Sequence, residues 1–92
     1  MITLPIKKQW FDLIDNGIKK EEYREITPRY KAMFNNALDE NGCFWCRLRN
    51  GYSSASPTLE VYVHLSVGYG HTEWGAIPNK YYFVLTILKI HK

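Results

Sequence analysis

Cysteine is scarce in this chain: only Cys43 and Cys46 occur among its 92 residues. A small domain stapled by disulfides needs several pairs, so the chain is expected to rely on an apolar core instead. The two cysteines form a CxxC, Cys43-Phe44-Trp45-Cys46, with no second CxxC to complete a set of metal ligands. A separation of three puts the thiols on opposite faces of a strand, and the Phe-Trp interior suits packing better than a zinc knuckle. No metal and no cofactor are expected. Long apolar runs are missing too, and nothing approaches the roughly 18 residues that span a bilayer. The start, MITLPIKKQ, reaches Lys7 and Lys8 too soon for a secretory signal, so a soluble, cytoplasmic protein is expected. Repeats and low-complexity tracts are absent, and residues 1–92 are expected to form a single domain.

Charge of one sign is present only in slight excess. A net charge of +3 permits an anionic partner without demanding one. Lys7, Lys8, Lys19, Lys20, Arg24, Arg29 and Lys31 crowd the first third, whereas Arg47, Arg49 and Lys80 are spaced along later segments. Charge alone fits a solvated face as well as a phosphate-facing patch.

Apolar periodicity predicts the elements. Residues 2–4 read as a short strand ended by Pro5. Ile6, Trp10, Leu13 and Ile14 then form one helical stripe, with Trp10 expected in the core, and Asn16-Gly17 closes that helix in the left-handed conformation. Thr27-Pro28 caps a second helix carrying Tyr30, Met33, Phe34, Ala37 and Leu38. Residues 43–49 read as a strand. Leu59, Val61, Val63, Leu65 and Val67 alternate with polar partners, which predicts a strand whose inner face is core. Residues 68–79 (GYGHTEWGAIPN) form a glycine-rich loop, longer than most connections and so more often functional. Residues 81–90 make a last, largely apolar strand. About five strands and two helices read as a small α+β fold.

Between the two helices lies the polar stretch NGIKKEEYRE. Read as a strand over residues 18–26, it carries charge on both faces, which apolar contacts alone cannot bury. Glu22 and Arg24 share one face. Lys19 has the opposite parity and joins them only if the chain is irregular just after Gly17. The cluster reads either as an exposed charge pattern or as a polar pocket in which Lys19 lies near Glu22 and Arg24 orients the carboxylate or holds a phosphate. Trp74, in the glycine-rich loop, either plugs a barrel end or offers a flat face to a base.

Gly17, Lys19, Glu22 and Arg24 fall on the pattern GxKxxExR, and this stretch resembles the ASCH (ASC-1 homology) domains. LPIKKQWFDLIDNG upstream, RNGY at residues 49–52, and GYGHTEWGAIPNKYYFV are similar to the short, stand-alone ASCH proteins of phage and bacterial genomes. The resemblance implies a small PUA-like β-barrel of about five mixed strands with two helices, and a cleft that takes RNA or a modified nucleoside. Some ASCH proteins are amidohydrolases of N4-acetylcytidine, with a motif like GxKTxTxR and a later glutamate. Here Lys19 and Arg24 match, but Glu22 stands at the nucleophile position and Lys20 replaces the preceding threonine. The hydroxyl chemistry therefore does not carry over, and Glu73 is the best-placed candidate for the later acid.

Three functions follow. One is a module for RNA, single-stranded nucleic acid or a nucleotide, with Lys7, Lys8, Lys19, Arg24 and Lys80 near phosphate and Tyr23 or Trp74 stacking on a base. Another is a hydrolase of modified nucleosides or RNA, with Glu22 as general base, Lys19 stabilising negative charge and Glu73 as the later acid. The last is a phage-encoded protein-interaction domain whose partner meets the exposed loop.

Overall fold

The computed structural model of the chain describes residues 1–92. In chain order the elements are β1 (Ile2–Ile6), α1 (Lys8–Asp15), β2 (Glu21–Arg24), α2 (Pro28–Ala37), β3 (Cys43–Asn50), β4 (Thr58–Tyr69), a 3-10 turn (Thr72–Trp74) and β5 (Tyr81–His91). The strands form one mixed sheet in the order β1-β3-β4-β5-β2. β1 pairs parallel with β3, and the other ladders are antiparallel. The sheet curls into a half-barrel, so the architecture is a small α+β barrel-like fold: the periodicity predicts its α+β class, and the curl is what the resemblance implies. No helix is long and apolar enough to cross a membrane.

The core lies in the hollow of the sheet. Leu4 and Ile6 of β1, Phe44, Cys46 and Leu48 of β3, Leu59, Val61 and Val63 of β4, and Phe83 and Leu85 of β5 point into it. Helix α1 adds Phe11 and Ile14, and α2 adds Phe34, which stacks on Phe44 and meets Phe83 edge-on. Thr27 caps α2 as expected, its hydroxyl accepting from the Tyr30 N–H at 3.1 Å. Cys46 is buried in this core, and burial pushes its thiol up to about 12. Cys43 is buried outside that cluster, as the alternation along β3 requires.

Several expectations need correcting. β1 does not stop at Pro5 but runs through it to Ile6. It is an edge strand, and Pro5 turns its carbonyl to the free edge, where a missing N–H costs nothing. Ile6 therefore belongs to β1 and not to the helix. Within α1 the buried residues are Phe11 and Ile14, while Trp10 is only half-buried at the side of the helix. The strand expected over residues 18–26 shortens to Glu21–Arg24. On β4 the inner face is core only as far as Val63. Leu65 is half-buried and Val67 is 58% exposed, because the β4–β5 hairpin outruns the residues that cover it.

Candidate functional site

α1 ends in a Schellman motif. Gly17, at φ 75°, donates to Ile14 O and Ile18 donates to Leu13 O. Lys19 also donates to Leu13 O, at 3.0 Å. This tight exit supplies the irregularity that the charged stretch needs, and it turns the Lys19 side chain into the protein beside Glu22. Lys19 is 1% exposed and Glu22 5%, an unusual burial for either residue type.

Every polar group of this pair is matched. Lys19 Nζ donates to Glu21 O at 2.6 Å and to Trp74 O at 3.0 Å, and meets Glu22 Oε1 at 3.0 Å. The rings of Tyr23 and Trp10 lie 4.8 and 5.4 Å from the ammonium. Burial pulls the Lys19 ammonium below the usual lysine range, while the Glu22 carboxylate works against that shift. The second oxygen of Glu22, Oε2, accepts from Arg24 Nη1 at 2.8 Å. Arg24 Nη1 also meets Tyr23 O, and Nη2 donates to Pro5 O at 2.8 Å. Arg24 thereby links the two edge strands, β2 and β1, which share no ladder. Its buried Nε–H has no acceptor in the protein. Two cations around one anion leave this cluster with one net positive charge.

Above the cluster, at the seam between β1 and β2, opens a cavity of about 670 Å³, within the roughly 300–1,000 Å³ of small-molecule sites. Glu22 and Arg24 line it, with Trp10, Tyr23, Trp74 and Tyr82 as aromatic walls and Lys7 and Lys8 at the start of α1. Lys8 is paired with Asp12, whereas Lys7 makes no ion pair.

The 70–80 loop brings Trp74 to this wall. Gly75 has φ 99°, and a side chain there would meet the Trp10 ring at 3.0 Å, so only glycine lets the loop lie against α1. The His71 N–H donates to the Tyr23 hydroxyl at 2.9 Å, and that hydroxyl donates to Glu21 at 2.8 Å. Tyr23 packs with Tyr82, Val84 and Ala76, and burial raises its phenol well above the usual tyrosine range.

The cavity thus gathers Lys7, Lys8, Glu22, Tyr23, Arg24 and Trp74 of the residues singled out in the sequence. Lys19 lies beneath it, wholly covered. Glu73 is 67% exposed beside His71 and does not line the cavity. Lys80 also stands apart, paired with Glu25 at 2.6 Å on the rim. Trp10, Tyr82, Pro5 and Ile77 escaped sequence reasoning as lining residues. Asn50, Gly51 and Tyr52 line it as well, and the RNGY tetrapeptide was their signal. No family model, curated protein or solved structure matches the chain.

Proposed function

We propose that the chain is a binding module for single-stranded RNA or a nucleotide, held in the cleft between β1 and β2. One observation carries this reading: a cavity of nucleotide-binding size has indole and phenol rings on its walls and Lys7, Lys8 and Arg24 along it. Flat rings suit bases, because every base has a π-face, and cations suit the phosphates that follow one another along a strand. The convergence of Lys19, Glu22 and Arg24 on one cluster supports the resemblance to ASCH domains, in which these positions form the motif. The same cluster weighs against hydrolysis. Each oxygen of Glu22 is held by a cation within 3.0 Å, Glu73 stands outside the cavity, and Glu25, the other carboxylate lining it, is paired with Lys80 at the rim, so the motif carboxylate is not free to act on a bound water.

The test is a titration of labelled single-stranded RNA and of mononucleotides across a range of salt. Binding is expected to weaken linearly in log–log form as salt rises, and Lys7→Ala to flatten that slope by about one counterion. Trp74→Ala should cost about 1–3 kcal/mol through lost stacking. No binding at low salt, or binding indifferent to both substitutions, removes nucleic acid as the partner. Turnover of N4-acetylcytidine by the unmodified protein, lost in Glu22→Gln, would put a hydrolase in its place.

A further inference from the structure

We infer that Lys19 is a positioning residue that touches no ligand and fastens the cleft wall carrying Trp74, as one link of a charge chain that fixes the width of the cleft; its binding arm rests on the cleft being the ligand site. An ammonium has three hydrogens, and Lys19 faces three acceptors: Glu21 O, Trp74 O and Glu22 Oε1, at 2.6, 3.0 and 3.0 Å. Its side chain has no exposed surface, so nothing remains to reach a phosphate. The bond to Trp74 O joins residues 55 apart in sequence and ties the loop directly to the exit of α1.

From there the chain continues across the floor. Glu22 Oε2 accepts from Arg24 Nη1 at 2.8 Å, and Arg24 Nη2 donates to Pro5 O at 2.8 Å. Two backbone carbonyls, one on the 70–80 loop and one on β1, are thus connected through a cation, an anion and a second cation. Both ends are acceptors that need a donor; here each donor is a cation, one buried and one half-buried, and the two stay adjacent only with an anion between them. Lys19 serves the walls of the cleft, Arg24 both links the walls and lines the cavity, and phosphate recognition falls to Lys7, Lys8 and Arg24.

Positioning and direct contact differ in what they leave behind. In the ligand-free protein, Lys19→Met should raise amide exchange about tenfold or more at Trp74, Gly75 and Ala76, whose N–H groups bond within the loop, while β3 to β5 stay protected. RNA binding should weaken about tenfold with the salt slope of the unmodified protein. A slope reduced by about one, with loop exchange unchanged, would mean that Lys19 contacts phosphate and would overturn the inference.

Should Lys19→Met not fold, Glu22→Gln decides by sign. Losing a negative charge from an anion-binding cleft tightens RNA by electrostatics alone. Positioning predicts weaker binding and faster loop exchange; tighter binding with an unchanged loop would refute it. If the unmodified protein binds no RNA, the proposed function falls, while the exchange measurements still decide the role of Lys19.

Discussion

The half-barrel is held together differently on its two sides. From β3 through β4 to β5 the backbone ladders run on, interrupted only by a register shift between Tyr62 and Val63, and the face they enclose is apolar, with Cys46, Val61 and Leu85 wholly removed from water. At the seam between β1 and β2 there is no ladder, and Arg24 reaches across to Pro5 O instead. Apolar burial scales with area and tolerates changes of shape that keep the volume. A buried chain of charges tolerates very little, because each member is stabilised only by its neighbours and each loses its hydration. Leu85 and Glu22 stand opposite each other in the β2–β5 ladder, so one register position holds both kinds of cohesion.

The largest break is expected at Glu22. Glu22→Ala leaves the buried Lys19 beside the half-buried Arg24 with no anion between them, and unfolding by denaturant should show a loss of about 3–5 kcal/mol. Adding Lys19→Met to Glu22→Leu should cost less than the two single changes combined, since the double variant removes the buried Lys19–Glu22 pair together and leaves only the half-buried Arg24 without its carboxylate. Simple additivity in that cycle would mean the chain is not a coupled unit.

Alkaline pH separates the two sides next. The folded state holds the Cys46 proton up to about 12, whereas the unfolded thiol releases it near 9.0. The associated stability is complete below 9.0 and lost as pH rises toward about 12. Tyr23, with its phenol raised above the usual 10.0, acts in the same direction from pH 10.0 upward. Lys19, lowered from 10.5, has the opposite sign: the cost of burying its charge eases as pH rises toward 10.5. Melting curves over this range should fall less steeply for Cys46→Ala than for the unmodified protein, relative to each protein at neutral pH.

Smaller still is the expected effect of Leu85→Met, which preserves volume across the ladder from Glu22 and should cost under about 1.5 kcal/mol. A loss as large as that of Glu22→Ala would show that the apolar side is no more forgiving than the seam. At the bottom of the series, Lys80→Ala breaks an exposed pair with Glu25 and should leave the unfolding midpoint in place. A clear shift there would make the rim part of the cohesion of the seam.

What the amino-acid sequence determined by itself is whatever depends on near neighbours. The Thr27 cap, the Asn16-Gly17 ending, the two-sided placement of Cys43 and Cys46, and the alternation from Leu59 to Val63 are local, set by turn chemistry and by periods of 3.6 and 2. The neighbourhood of Lys19, Glu22 and Arg24 was legible too, because all three lie within six residues of one another around a helix exit. Only the tertiary structure decided how deep Lys19 goes, that Trp10 leaves the core for the cleft, that Val67 runs past its cover, and that Arg24 spans two strand edges. Those facts depend on residue 19 meeting residue 74 and residue 24 meeting residue 5. A lysine has the same charge and length in water or under an indole, and which of these it meets is settled by chain segments that come together only when the sheet curls.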